Sequence, residues 1–333
     1  MMRYKILILV IAILALGLSS AYAGNENRIG TAGAQELRIP VGSRGVAMGG
    51  SVVANSEGVE AIYWNPAGLA RLVDGTEVMF THQPYWADID IEYFAVGHDI
   101  EDFGTIGAAI KVINIGDIEE TTYDEPDGTG AIFSPTFVTM GLTYARAVTA
   151  DVNFGVTANV VHESIGGVTA SGLAFDFGFT YRTRLDGLML GFAMKNYGPD
   201  IKFSGNGFNL KLEDSKYPVQ SENASSELPT SINLGAAYNF LNDGKNSVTA
   251  CGNFRANNQT NDAVVGGVEY GYDNTYFLRA GYTHSRQDSY LYGASLGAGV
   301  AFSVGGAEFS LEYTWTQVDV FDDNQYFTLK ARL

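Results

Sequence analysis

The side chains best suited to catalysis or metal binding in this sequence are four histidines and one cysteine, and they are widely separated. The histidines are His82, His98, His162 and His284, and the cysteine is Cys251. The histidines show no metal-ligand spacing, and no serine, histidine and acid can be grouped as a triad. A single cysteine excludes an intrachain disulfide framework and a cysteine-based zinc site. The sequence predicts a non-enzymatic protein without a metal, and a phospholipase or protease is the enzymatic alternative.

The net charge of the chain bears on which classes of molecule it can bind. It carries 37 Asp and Glu residues against 20 Lys and Arg residues, a net charge of −17. Nucleic-acid binding depends on neutralising phosphates with Lys and Arg, so this balance argues against a nucleic-acid partner. No G-x-G-x-x-G motif stands at a strand–helix junction, so no nucleotide cofactor is predicted. The acidic segment 124–128 lacks EF-hand spacing and is interpreted as a solvated loop.

An alternating pattern of apolar and polar residues runs through most of the chain and predicts β-strands. In the segment 151–163, Val152 and Phe154 fall on one face, and Asn153 and Gly155 fall on the other. Many such segments match the ~9–11 residues of a tilted membrane-spanning strand, whereas soluble strands usually have about 5–6. Fourteen strands are predicted: 76–82, 88–98, 104–115, 135–147, 151–164, 169–184, 187–196, 229–240, 246–256, 262–272, 275–284, 290–302, 305–317 and 324–333.

The connections between these strands come in two lengths. Short ones carry Asp-Gly, Asp-Asn or Gly-Gly pairs, which favour tight hairpins. Long ones include 116–134 and 197–228, which are polar and far from strand-like; the second also contains apolar residues such as Ile201. Every long connection is predicted to follow an odd-numbered strand and every short one an even-numbered strand. The pattern indicates an all-β fold, a transmembrane antiparallel β-barrel of about 14 strands with short periplasmic turns.

The N-terminus has the features of a secretory signal peptide. Arg3 and Lys5 precede an apolar run from Ile6 to Leu18, and Ala21-Tyr22-Ala23 is an A-x-A cleavage site. We expect residues 1–23 to be removed, with cleavage near Ala23. A membrane anchor is the alternative for this segment. The expected location of the mature chain is the outer membrane of a diderm bacterium, in contact with outer-membrane lipid.

Residues 24–75 differ from the rest because they show little strand alternation. Asn65 followed by Pro66 is a helix-start signature, since Asn accepts from free N–H groups and Pro has none to leave unpaired. A lumen enclosed by about fourteen strands is wider than side chains alone can fill. We therefore predict that 24–75 forms a plug (hatch) inside a barrel of residues 76–333, rather than an N-terminal arm.

The polar faces of the strands carry charged residues that we expect to line the lumen. Ion pairing across strands is the favoured interpretation of this set. The residues are Asp176, Arg182, Lys195, Arg255, Glu269, Arg279, Glu308, Glu312 and Lys330.

The segments 42–50 and 60–69, together with the signal peptide and about fourteen strands, resemble the FadL-like outer-membrane barrels. In sequence the likeness lies mainly in residues 38–72, and it is closer to the PorV/PorQ branch. The resemblance implies an N-terminal hatch, to which the matching motif residues would belong. These are Arg44, Trp64, Asn65, Pro66, Ala67 and Gly68.

The resemblance leaves two functions open. The PorV/PorQ branch implies a component of type IX secretion that binds or shuttles secreted proteins carrying a C-terminal signal domain, with translocon subunits as further partners. The FadL-like superfamily implies a channel for hydrophobic small molecules such as long-chain fatty acids, with a ligand in the lumen. The hatch motif favours the first function, with the long loops 116–134 and 197–228 engaging the cargo.

Overall fold

The computed structural model describes residues 28–72, 75–210, 219–220, 223–285 and 291–333. Its main feature is a closed antiparallel barrel in which each strand pairs with its neighbours along the chain. The predicted signal peptide, residues 1–23, lies outside the described residues. Among the described residues, no helix has the length and apolar character needed to cross a membrane.

Fourteen strands form the barrel, and each corresponds to a strand predicted from the sequence. The strands are β1 (Thr76–Pro84), β2 (Asp90–Ile100), β3 (Gly104–Asn114), β4 (Thr136–Ala147), β5 (Val152–Ile165), β6 (Val168–Arg182), β7 (Leu188–Tyr197), β8 (Ser231–Asn242), β9 (Asn246–Asn257), β10 (Ala263–Tyr272), β11 (Tyr276–Ser285), β12 (Tyr292–Val304), β13 (Ala307–Val318) and β14 (Asn324–Arg332).

The barrel closes where the first and last strands meet. β1 pairs with β14 in antiparallel register, with Glu77 opposite Arg332 and His82 opposite Phe327. Side chains alternate across the wall as predicted: Asp176 of β6 is buried on the inner face, whereas Phe179 is 45% exposed on the outer face. Closure leaves no unpaired strand edge facing lipid.

The two ends of the barrel differ in their connections. At the end that we call the turn end, the connections after even-numbered strands have two to five residues. The opposite end, the loop end, carries the two long connections. One prediction fails here, because β5 and β6 are joined at the loop end by Gly166 and Gly167 alone. Both glycines have positive φ, 48° and 86°, which suits a tight hairpin turn.

The long connections are more ordered than the sequence suggests. In the first, Ile118–Glu119 pairs with Ile132–Phe133, so the prediction that it is far from strand-like is wrong at this point. In the second, Ser204–Gly205 pairs with β6. Ile201 bridges to Ser226 and is 2% exposed. This connection therefore folds back onto the inside of the wall, which removes Ile201 from any external contact surface.

The segment before β1 occupies the lumen as a series of short helical turns. Its buried apolar residues pack against inward-facing residues of the wall; Val59, Leu69 and Leu72, for example, form one cluster with Met79 and Tyr93. We call residues 28–72 the plug.

The plug contains two α-helical turns, Ser43–Ala47 and Ala61–Trp64, and four 3₁₀ turns, Gln35–Arg38, Val52–Ala54, Gly58–Glu60 and Pro66–Arg71. Two further 3₁₀ turns, Glu101–Phe103 and Asn206–Phe208, lie in connections between barrel strands.

Candidate functional site: the plug and the lumen above it

Trp64 is the centre around which the glycines of the motif are arranged. Its indole Nε1 donates to the carbonyl of Val41 at 3.1 Å. A Cβ on Gly45 would collide with the indole ring, and one on Gly50 would lie 3.0 Å from it. Gly68 is constrained in the same way, since its Cβ would collide with the carbonyl of Ser56. The glycines in this stretch therefore allow the backbone to approach a large ring and a neighbouring carbonyl.

Asn65 joins the plug to the barrel wall. Its side chain caps the following 3₁₀ turn by accepting from the backbone N–H of Ala67 at 3.2 Å, as the sequence predicts. Its Nδ2 donates to the carbonyl of Val53 at 2.6 Å and to that of Phe179 at 3.2 Å. The buried side-chain amide of Asn65 thus forms hydrogen bonds with two backbone groups of the plug and with one carbonyl of the barrel wall.

The wall opposite this motif is built from glycine so that the plug can approach it. A Cβ on Gly178 of β6 would collide with Asn65 Oδ1, and one on Gly155 of β5 would collide with the carbonyl group of Pro66. Ala67 is fully buried in the same contact. We call this contact between residues 65–68 and the strands β5 and β6 the close-packed face.

A ring of alternating charges holds the other side of the plug, and we call it the charged ring. Arg44 of the plug contacts Glu269 at 2.9 Å and Glu60 at 3.5 Å. Glu269 contacts Arg279 at 2.6 Å, and Arg279 contacts Glu312 at 3.6 Å.

Lys330 closes the charged ring through contacts to Glu312 at 3.3 Å and to Glu60 at 3.7 Å. The six groups carry three positive and three negative charges. The most accessible of the six side chains, Lys330, is 15% exposed. Glu60 also accepts from the backbone N–H of Gly45 at 2.7 Å, which fixes the turn that carries Arg44. Charges buried to this degree require such compensation to be tolerated.

A third contact holds the start of the plug near the loop end. Lys111 of β3 donates to the backbone carbonyls of Glu36 at 2.7 Å and Ile39 at 3.2 Å. Glu36 is 4% exposed, and its carboxyl group lies beside that of Glu163 of β5. Burial, and secondarily the adjacent Glu163 carboxyl, raise the pKa of Glu36 to about 8. Burial therefore favours the protonated form of Glu36.

Above the plug lies a cavity of about 670 Å³, which we call the lumenal cavity. Its floor is formed by plug residues that include Tyr63 and Trp64. One wall is apolar and comes mainly from β3, β4 and the loop-end connections that follow β1 and precede β12. The other wall is polar and comes from β7, β8 and β9. The apolar wall includes Tyr85, Trp86, Ile89, Ile113, Phe137 and Leu291, and the polar wall includes Lys195, Asn196, Ser231, Asn233, Arg255 and Asn257.

The structure groups the residues that the sequence singled out into separate contacts. Arg44 belongs to the charged ring, Trp64 to the centre of the plug, and residues 65–68 to the close-packed face. Of the predicted lumenal charges, Glu269, Arg279, Glu312 and Lys330 form the charged ring; Lys195 and Arg255 line the lumenal cavity; and Asp176 is buried, whereas Arg182 and Glu308 are exposed at the turn end.

The sequence did not single out Glu60 or Lys111 as functional residues. Glu60 belongs to the plug and pairs with Arg44 and Lys330, and Lys111 belongs to the wall and donates to two carbonyls of the plug. The available signal for Glu60 was a single acid in the otherwise apolar stretch 59–64. Three of the histidines form hydrogen bonds with neighbouring side chains: His82 with Glu92 at 2.7 Å, His98 with Thr76 at 2.9 Å and His162 with Ser171 at 2.9 Å. No cluster of three or more potential metal ligands is found within the described part of the chain.

Comparison with known proteins agrees with this architecture. Three solved structures are similar: the toluene transporter TbuX of Ralstonia pickettii (16% identity, TM-score 0.56, covering 88% of this chain and 98% of that chain), a FadL homologue of Pseudomonas aeruginosa (14%, 0.55, 88% and 98%), and the toluene transporter TodX of Pseudomonas putida (15%, 0.55, 87% and 96%). At these identities the likeness shows the FadL-like barrel fold.

A search of curated protein sequences found no match. The family model of the type IX secretion system protein PorV, however, matches residues 22–258, which include the plug and most of the barrel. The chain is thus an outer-membrane β-barrel, and it belongs to the PorV family.

Proposed function

We propose that this chain is a non-enzymatic outer-membrane component of protein secretion that binds secreted cargo at its loop end. In this proposal the mature chain begins after Ala23 and residues 24–75 remain in the lumen as a plug while cargo is bound. The observation that carries the proposal is the charged ring, which ties the plug to β10, β11, β13 and β14 by buried ion pairs. A protein whose lumen is held closed suits a binding role better than a conducting one.

The loop end offers exposed residues for such binding. In the first long connection Tyr123 and Ile132 are 100% and 65% exposed, and in the connection between β13 and β14 Val320 and Phe321 are 70% and 47% exposed. Trp86 stacks on Phe321 with ring centroids 4.8 Å apart, which joins two loops into one apolar surface. Exposed apolar groups of this kind favour contact with a protein partner.

The test is affinity purification of the tagged protein from its native outer membrane in mild detergent, followed by mass spectrometry. Secreted proteins that share a C-terminal β-domain, or large translocon subunits, should co-purify. Tyr123→Ala should reduce the recovered cargo, whereas Tyr276→Ala, an exposed tyrosine at the turn end, should not. A barrel that elutes without protein partners would overturn the proposal.

A channel for hydrophobic small molecules is the second candidate, and the lumenal cavity is the observation that favours it. Its volume of about 670 Å³ and its aromatic wall suit a small ligand. In planar bilayers and uptake assays, this candidate requires passage of an apolar solute that increases when residues 24–75 are deleted. If deletion leaves single-channel conductance unchanged, the plug does not close the lumen.

A further inference from the structure

A stack of three aromatic rings lies at the loop end, where the β1–β2 and β13–β14 connections meet. The ring centroids of Tyr85 and Trp86 are 3.7 Å apart, and those of Trp86 and Phe321 are 4.8 Å apart. Phe321 is 47% exposed, and the adjoining Val320 is 70% exposed. Apolar groups that are exposed together in this way are typical of an interaction surface.

Hydrogen bonds hold both connections in place. The backbone N–H of Tyr85 donates to the carbonyl of Ile89 at 2.8 Å, and the Tyr85 hydroxyl contacts that of Tyr292 at 2.9 Å. In the other connection, Asp323 accepts from Trp315 Nε1 at 3.1 Å. The rings are therefore fixed before a partner arrives, which lowers the entropic cost of binding.

The charged residues around the stack are all negative. The connections 85–89 and 319–323 contain four Asp residues and no Lys or Arg. Asp88, Asp319 and Asp322 are exposed, and within the described residues their side chains form no hydrogen bond or ion pair. We call Trp86, Asp88 and residues 319–322 the aromatic–acidic patch.

This combination of rings and carboxylates indicates the chemistry of the partner. Lys and Arg side chains are attracted both to the face of a Trp ring and to carboxylates. A purely apolar partner would cover Phe321 but would desolvate the carboxylates without compensation. An anionic lipid surface would be repelled by the same carboxylates. A protein segment with both cationic and apolar side chains fits the patch.

We propose that the aromatic–acidic patch docks a basic segment of a partner protein. Lys or Arg side chains of that segment contact the carboxylates and the Trp86 ring, and its apolar side chains cover Val320 and Phe321. The inference rests on the proposed function in taking this partner to be secreted cargo, and it assigns the charged part of the contact to two of the loop-end connections.

The test uses the full barrel in nanodiscs of zwitterionic phosphatidylcholine and three fluorescent dodecapeptides with blocked termini. The first repeats Lys-Leu-Gly, the second Glu-Leu-Gly and the third Lys-Ser-Gly. Fluorescence anisotropy should show binding of the Lys-Leu-Gly peptide, weaker binding of the Lys-Ser-Gly peptide and none of the Glu-Leu-Gly peptide. Added salt should weaken the binding, because exposed charges are screened.

Neutralising the patch tests whether its carboxylates are the ones involved. The combined variant Asp88→Asn, Asp319→Asn and Asp322→Asn should bind the Lys-Leu-Gly peptide about tenfold more weakly, since three exposed charge contacts are lost. Phe321→Ala should weaken binding of the Lys-Leu-Gly peptide several-fold and leave that of the Lys-Ser-Gly peptide unchanged. The fold is not at stake, because all four side chains are exposed.

A matched control removes the same number of charges from the first long connection, also at the loop end. It should bind the Lys-Leu-Gly peptide as the unaltered barrel does. The control combines Asp124→Asn, Glu125→Gln and Asp127→Asn, all at exposed positions. Equal weakening in the patch and control variants would mean general attraction to an acidic surface and would overturn the proposal. Absence of binding to the unaltered barrel, or equal affinity for the two Lys peptides, would also overturn it.

A crosslinking arm identifies the partner in the native membrane. With benzoylphenylalanine in place of Val320, a crosslink to a secreted protein within a segment richer in Lys and Arg than in Asp and Glu supports the proposal. A crosslink to an acidic segment, or only to lipid, contradicts it. Cargo that co-purifies without this crosslink would leave the proposed function standing and remove the present inference. Peptide binding with the expected variant pattern but no co-purified cargo would overturn the proposed function and leave the patch as a docking site for a different basic protein.

Discussion

The two faces of the plug are held in the lumen by different physical means. The charged ring joins Arg44 and Glu60 to four wall residues through long side chains, with contacts of 2.6 to 3.7 Å. The close-packed face joins residues 65–68 to β5 and β6 at such short range that a Cβ at Gly155 or Gly178 would collide with it. The charged ring therefore depends on the balance of charges, and the close-packed face depends on the fit between the two surfaces.

This difference predicts different responses to substitution. Removing one charge leaves its partners buried without compensation, so the effect reaches the whole ring. Adding a methyl group at the close-packed face creates a local clash that neighbouring groups can partly relieve. The charged ring should therefore respond most strongly to a change of charge, and the close-packed face to a change of volume.

Glu60→Gln is expected to have the largest effect. It leaves the ring with an excess positive charge and should lower the free energy of unfolding by about 3–5 kcal/mol. Guanidinium unfolding in lipid vesicles measures this value. Arg28→Gln, at an ion pair with Glu227 whose side chains are 37% and 49% exposed, is the control and should change stability by less than about 1 kcal/mol. Similar losses in both variants would mean that the ring contributes no more than a surface pair.

Asn65→Ala should have the next largest effect. It removes the donor to the carbonyls of Val53 and Phe179 and the acceptor for Ala67, at a loss of about 2–3 kcal/mol. The same unfolding experiment measures it, with Asn114→Ala as the exposed control. If both variants unfold at the same denaturant concentration, the capping amide does not secure the plug.

Gly178→Ala tests the shape of the close-packed face directly. The added Cβ would meet Asn65 Oδ1, and the expected loss is about 1–3 kcal/mol. Gly266→Ala is the matched control, because the nearest atom to its Cβ lies 4.0 Å away. There the change should be neutral or stabilising by up to about 1 kcal/mol. A stable Gly178→Ala variant would contradict the description of a tight contact.

The Glu36 carboxyl should make the stability of the protein depend on pH. Its pKa in the folded protein lies above the unfolded value, so the stability that it contributes is present at low pH and is lost as pH rises through about 8. Between pH 5 and pH 9 this carboxyl should therefore lower the thermal unfolding midpoint relative to that of a chain without it. Glu36→Gln should flatten this dependence, and an unchanged slope would exclude Glu36 as its source.

The barrel strands could be predicted from the sequence because the alternation of apolar and polar residues is a local property. Val152 and Asn153 can be assigned to opposite faces of the wall without knowing where any other strand lies. The cap at Asn65 was accessible for the same reason, since its partner Ala67 is two residues away.

The wall residues that contact the plug could not be predicted in this way. Arg44 and Glu269 are 225 residues apart, and nothing near either residue specifies the other. The short turn at Gly166–Gly167 lies between the predicted strands 151–164 and 169–184, so the failed prediction was only the rule that every short connection follows an even-numbered strand. The polar wall around Lys195 and Arg255 likewise depends on where the plug stops, which is a property of the assembled lumen.

Ser43 has a consequence for how the barrel is formed. Its backbone N–H and hydroxyl both contact Thr328 Oγ1 of β14, at 3.0 and 2.8 Å, and Thr328 in turn contacts Thr81 of β1 at 2.9 Å. β1 and β14 lie at opposite ends of the barrel sequence, so joining them carries the largest loop-closure entropy in the fold. The plug is covalently joined to β1 and bonded to β14. It therefore bridges the two strands that must meet when the barrel closes.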